Sequence, residues 1–362
     1  MRYKRIGISM PSLLFRKNND YRIAVKVSNL SVSLLVIDCN VLRSAATSTI
    51  NAGRASKVSS KTEAKLANVV LKESIALKEA MVFDLDNNFT LDDCQQALKK
   101  YIKGHELSGQ PCFCVLDDSS YELLLLDTPL VPEDEITDAL RWQVQELIDS
   151  DIDDMVIESF KQPNKSKIYA AVSKKQSISQ LVNFVAAVGL KLISIDIPEL
   201  SYRNLVDGIT IGTNDENVTL DIEQASDQGL ALAQSKALLI IGEGEGHLLI
   251  FNNSNIYLSR KFPIRSVDSI ENNDLEDTLV LEIQRSLDYF ERQTEEIIPN
   301  TILFIDTKRS VDSIKYITIL EKNLQQNILP LQSKDILHEL KFVKNDADML
   351  MLCGAALRTI AA

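Results

Sequence analysis

The first ordered pattern along the chain is an alternation of apolar and polar positions. Ile23, Val25 and Val27, then Val32, Leu34 and Val36, repeat every second residue on either side of Ser28–Ser31, which predicts two strands joined by a tight turn. The stretch 43–80 is small, polar and basic at first and takes on helical character only after Thr62. It is expected to form a flexible insertion at 43–61 followed by a helix, with a further strand near Val82–Leu85. Thr90 is a good N-cap for a helix from Leu91 to about Lys103, and Cys112–Asp117 and Tyr121–Asp127 read as strands. A helix opening at Pro132–Glu133 with acidic residues in its first turn is predicted to reach Ile148. Strands at Val156–Phe160, Ile168–Val172 and Lys191–Asp196 surround a helix at Gln176–Val188, which makes a small α/β unit.

After a helix over Ile197–Val206 and a linker rich in Gly, Asp, Asn and Thr, the strand alternation starts again. ALLIIGEGEGHLLIFNNSNIYLSRKFPI, from Ala237, predicts three successive strands whose outline repeats that of the opening hairpin. Leu279, Ile283, Leu287 and Phe290 stripe a helix over about 275–293. A buried strand at Ile302–Ile305, a helix around Val311–Leu324, a short strand near Ile328–Leu331 and a C-terminal helix from Ala347 complete the pattern. Two strand-rich halves, each followed by helix–strand units, point to a duplicated actin-like (ribonuclease H-like) α/β fold of two lobes. The expected division is a basic arm at 1–20, a first lobe at 21–130, an insert domain at 131–196, a return and linker at 197–235, a second lobe at 236–345 and a C-terminal helix at 346–362.

Composition adds exclusions. The 362 residues are 45% hydrophobic and 25% charged, an ordinary globular balance. Five cysteines without CxxC pairs fit neither a disulfide framework nor a zinc ribbon and imply a reducing compartment. No run approaches the ~20 apolar residues that span a bilayer, and the basic start, broken by Ser9 and Pro11, is expected to be retained and not cleaved as a signal. The net charge of −12 argues against nucleic acid as a partner. That charge is uneven: residues 1–80 carry fourteen Lys/Arg against five Asp/Glu, which leaves −21 for the rest. A basic segment of this kind is a candidate contact for an anionic membrane surface, against the plainer reading of a solvated arm.

Motifs for other enzyme chemistry are weak. His105, His247 and His338 lack metal-ligand spacing, and no P-loop or nucleophile elbow occurs. Asp84, Asp86 and Asn88 resemble the start of a calcium loop but lack its Gly and its final Glu, and Asp149, Asp151, Asp153 and Asp154 read as a solvated acidic corner. Cys112 and Cys114 share one strand face and read as small buried hydrophobes. No metal site is expected.

The segment YELLLLDTPLVPEDEITDALRWQVQELIDSDIDDMVIESF (121–160) resembles the MSHA pilus (MshI) branch of the PilM family of type IV pilus assembly proteins. ALLIIGEGEGHLLIFNNSNIYLSR, LEIQRSLDYFERQ and CGAALR follow in the family's order, and the likeness runs from Tyr21 to the C-terminus. The resemblance implies an FtsA-like fold with a small α/β insert domain. It also implies a place on the cytoplasmic face of the inner membrane, bound to the cytoplasmic N-terminal tail of a PilN-type protein.

The nucleotide motifs of that family are altered here. Where relatives read GIDIGSxSVK, this chain has Ala24-Val25-Lys26-Val27-Ser28-Asn29-Leu30-Ser31-Val32-Ser33, with Lys26 in place of the acid. The second site reads Ile240-Ile241-Gly242, with Glu243 and Glu245 set among Gly242, Gly244 and Gly246. The third reads Asp306-Thr307-Lys308-Arg309-Ser310 in place of a GG turn. An ammonium cannot ligate Mg²⁺. The expectation is therefore a non-catalytic scaffold without cofactor, weak metal-free nucleotide binding through Lys26 and Lys308 being the residual chemistry. The alternative is an active ATPase whose nucleotide state controls docking. On the helix from 133, Ile136, Leu140, Val144, Leu147 and Ile148 share a face while Trp142 projects from the other. Arg141, Trp142 and Gln145 are the expected partner contacts.

Overall fold

The computed structural model describes residues 21–39, 69–71, 76–163, 166–211, 235–242, 244–252, 254–264, 272–294, 296–307, 312–337 and 345–358. The expected arm 1–20 and insertion 43–61 lie outside them, as do Lys308 and Glu243. In the first lobe, β1 (Tyr21–Val27), β2 (Ser31–Asp38), β4 (Ala76–Asp84), β5 (Pro111–Val115) and β9 (Lys191–Asp196) form one sheet in the order β4-β2-β1-β5-β9. In the second, β11 (Lys236–Ile241), β12 (Glu245–Asn252), β13 (Asn255–Pro263), β14 (Thr301–Asp306) and β15 (Asn327–Pro330) take the order β13-β12-β11-β14-β15. Strand for strand the pairings agree. The hairpins are antiparallel, and β1–β5–β9 and β11–β14–β15 run parallel.

Both faces of each sheet are covered, which explains why the strands read as nearly continuous apolar runs. Ile23, Val25, Leu34, Val36, Cys112 and Cys114 face an outer core beneath α1 (Leu91–Gly104) and α3 (Lys175–Val188). Thr90 and Asp93 make a reciprocal capping box at the start of α1, and Cys94, Leu98 and Ile102 form its buried stripe. The second lobe is built likewise, with Leu279, Ile283, Leu287 and Phe290 of α5 (Asn272–Thr294) and Tyr316 and Leu320 of α6 (Asp312–Asn323) on its outer face.

Between the two sheets lies one shared core. It contains α4 (Pro198–Asp207), a short α7 (Ser333–Ile336) and α8 (Asp346–Ala356). All eleven residues of α8 are buried, so the helix has no solvent-exposed face and fills the space between the lobes. Gly354 is the point of closest approach: a Cβ placed there would overlap the carbonyl oxygen of Ser201 on α4.

Three expectations are corrected. The chain after Thr62 is not helical where it is described. Val69–Leu71 (β3) pairs with Ile209–Ile211 (β10), and β4 pairs with β2. Helix propensity differs by only tenths of a kcal/mol among Ala, Leu, Lys and Glu, less than a full antiparallel ladder supplies. The helix expected from 133 to 148 is a 3-10 turn at Glu133–Glu135 followed by α2 (Ile136–Gln145), and Leu147 is exposed beyond its end. The insert sheet joins β6 (Tyr121–Asp127), β8 (Lys167–Lys174) and β7 (Met155–Lys161) in that order, with Ile136, Leu140 and Val144 of α2 packed on it. It therefore begins before residue 131. The segment that follows it, α3 and β9, belongs to the first lobe.

Candidate functional site

The first altered motif is tied to α8, in the core between the lobes. Near the end of β1 the Lys26 Nζ donates to Asp348 Oδ1 at 3.0 Å and lies 3.5 Å from Asp117 Oδ1. Asp348 sits in the first turn of α8, where Asn345 caps the helix, and its Oδ2 accepts from Ser33 Oγ at 2.9 Å and Asn345 Nδ2 at 2.8 Å. Burial acts to lower the pKa of Lys26. The carboxylates of Asp348 and Asp117 outweigh that and hold it above 10.5, so the side chain is a fixed cation.

The turn that would approach a phosphate is occupied with itself. Ser28 N–H donates to Ser31 O at 2.9 Å, while the amides of Leu30 and Ser31 both donate to Ser28 Oγ, at 3.3 and 3.0 Å. Asn29 sits at the tip of this turn. In the second lobe the glycines have local reasons. Gly244 has φ of 75°, and a Cβ at Gly246 would run into the Phe262 ring. Gly242 N–H donates to Glu245 O at 2.8 Å.

A second polar layer spans the lobes behind this one. Lys261 of β13 donates to Asp118 Oδ1 at 2.8 Å and lies 3.8 Å from Glu245 Oε1. Tyr121 Oη donates to Glu199 Oε2 of α4 at 2.7 Å. His247 Nε2 meets Ser259 Oγ at 2.9 Å and lies 3.9 Å from Glu199 Oε1. Burial raises the pKa of Glu199, which Tyr121 partly offsets, and burial together with Lys261 lowers that of His247 to about 3. Sequence reading did not find Asp117, Asp118, Glu199, Lys261 or Asp348. The available signal was a pair of carboxylates directly after the buried strand β5.

His247 gives a pH prediction. Its folded pKa lies below the unfolded 6.5, so as pH falls from 6.5 toward 3 the unfolded chain takes up a proton that the folded one refuses. Stability should fall over that window with a slope of up to about 1.4 kcal/mol per pH unit from this group. Chemical denaturation at several pH values, compared with His247→Gln, checks this: the variant should lose that part of the slope.

A Mg²⁺–nucleotide does not fit this arrangement. The position where the sequence resemblance implies a metal-organising acid holds an ammonium already paired with two carboxylates, and the amides of the adjoining turn are spent. Among the described residues no group of three or more His, Cys, Asp or Glu could hold a metal ion, and no helix is long and apolar enough to cross a membrane.

A separate groove of about 1490 Å³ lies between the insert and the first lobe, lined by both edge strands, β7 and β9. Arg141 lines it, held by Asp153 Oδ1 at 2.8 Å. Trp142, 79% exposed, and Gln145 stand on the open face of α2 and do not line the groove.

The architecture is shared with a solved PilM–PilN type IV pilus biogenesis complex, at a TM-score of 0.56 and 12% identity, over 93% of this chain and 99% of that one. The fold is the two-lobed actin-like one. Looser likenesses, which add nothing to that conclusion, are a Bacteroides thetaiotaomicron protein of actin-like ATPase fold and unknown function (TM-score 0.45, 9% identity, covering 95% of this chain and 99% of that one) and the cytoplasmic domain of EpsL from the Vibrio cholerae type II secretion system (0.43, 8%, 94% and 96%). No protein-family model and no curated protein matches the sequence.

Proposed function

We propose that this protein is a non-catalytic actin-like scaffold of a type IV pilus assembly system of the MSHA (MshI-like) kind. It works at the inner face of the inner membrane by holding the cytoplasmic N-terminal tail of a PilN-type protein. The observation that carries the non-catalytic part is Lys26, clamped between Asp117 and Asp348 where the family motif has an acid. The lobes are held to each other by Lys261 of β13 on Asp118 and by α8 in their shared core, with no need for a nucleotide as tether. The partner part is supported by the likeness to a PilM–PilN complex and by the groove, whose two strand edges offer main-chain hydrogen bonds to an extended peptide. From the groove the tail continues past Arg141 onto the exposed face of α2, where Trp142 and Gln145 stand.

The test is titration of the protein with a synthetic peptide of that tail, beside a scrambled control. Saturable micromolar binding of the first alone is expected, and no binding would contradict the reading. Trp142→Ala should weaken the affinity about thirtyfold, as for a hot-spot tryptophan. Because the side chain is exposed, the same change should leave unfolding free energy within about 0.5 kcal/mol.

A further inference from the structure

We infer that Ser194 and Asp196, on the wall of the groove between insert and first lobe, receive one basic side chain of the bound tail. This rests on the reading of the groove as the tail's site. Asp196 ends β9 and is 3% exposed. Its Oδ1 is held by the guanidinium of Arg358, in the segment after α8, but its Oδ2 is buried and has no hydrogen-bond partner among the described residues. Ser194 lies two residues earlier, on the same face of the strand; its buried Oγ lies beside the Asp196 carboxylate without a hydrogen bond of ordinary geometry. Both residues line the groove.

A buried carboxylate oxygen only accepts, and leaving it unmatched is costly, so the site favours a charged donor over a neutral one. Burial raises the pKa of Asp196 against the pull of Arg358, Arg203 and the neighbouring Ser194 hydroxyl. The groove's other bases are engaged elsewhere, Arg141 with the Asp153 carboxylate, Lys175 with the Asp153 carbonyl and Lys161 with Glu133. The donor is therefore expected to come with the ligand. Cytoplasmic segments beside a membrane span carry an excess of Lys and Arg, so such a tail supplies one. Among the described strands β9 pairs only with β5, and a chain laid along its open edge presents alternate side chains toward this face. Both acceptor atoms are screened from water, so the donor reaches them as the wall side chains part around the bound chain.

The experiment is a double-mutant cycle by calorimetry. The synthetic tail peptide and versions with each Lys or Arg replaced by Gln are titrated into the wild-type protein, Asp196→Asn and Ser194→Ala, with folding of each variant checked by thermal unfolding. One basic position should lose about tenfold or more in affinity against the wild type and under about twofold against Asp196→Asn. Should Asp196→Asn fail to fold, the cycle is read with Ser194→Ala, where that position should lose about threefold less than it does against the wild type. If every replacement costs the same against wild type and variants, or if a tail without basic residues binds equally well, the inference falls while the proposed function stands. If the unmodified tail does not bind the wild type, both fall.

Discussion

Gly354→Ala should cost about 3 kcal/mol of folding stability, the upper part of the range for overpacked cores, read as a drop in the urea midpoint at unchanged slope. The added methyl would overlap the backbone carbonyl of Ser201, an obstacle that no rotamer change can move. Both helices at that crossing, α4 and α8, are packed between the sheets, so relief requires the shared core of the two lobes to open. Gly242→Ala is the matching control. There the new Cβ meets only ordinary contacts and φ is not in the left-handed region, so the cost should stay under about 1 kcal/mol. A Gly354→Ala protein as stable as the wild type would mean that the helices do not cross as described.

The second large effect is expected at Lys26. Removing one partner of a buried ion pair leaves the other charge uncompensated and typically costs about 3–5 kcal/mol, and Lys26→Ala should fall in that range. The side chains of Lys26 and Asp348 are 14% and 8% exposed, so water cannot take the place of the missing ammonium. Lys26→Asp should be worse than Lys26→Ala, because it would set a third carboxylate beside Asp117 and Asp348. Lys26→Met combined with Asp348→Asn should recover most of the loss, since the amide keeps an acceptor for Ser33 while the charge is gone. The pKa of Lys26 is raised on folding, so its contribution is complete below 10.5 and is lost only as pH climbs through the higher folded value. The deficit of Lys26→Ala should therefore be flat between pH 7 and 9. Additive effects in the double variant would contradict the pairing.

Much of the fold was legible because it is local. The alternation at Ile23–Val36 and again from Ala237 gave both hairpins, and their repetition gave the two lobes. What sequence could not show is what depends on distant partners. Ala76–Asp84 reads as helix or strand by composition, and the open edge of β2 decides it. The segment after the insert looks continuous with it, yet β9 joins β5 because the first sheet lacks its last strand. The cleft is the extreme case. Lys26 and Asp348 stand 322 positions apart, and no spacing rule links them. The motif comparison showed that an acid was missing at Lys26. Where the ammonium goes, and that Ser28 uses up the neighbouring turn amides, appears only in three dimensions.

The central claim is that this cleft is closed on itself and turns over no nucleotide. Calorimetric titration of the purified protein with ATP and Mg²⁺, followed on the same sample by phosphate release, tests it most directly. The account predicts no saturable heat up to about millimolar ATP, a binding free energy weaker than about −4 kcal/mol, and phosphate release no faster than in buffer. Micromolar binding that requires Mg²⁺, with turnover that disappears in Lys26→Ala or Gly242→Ala, would contradict it.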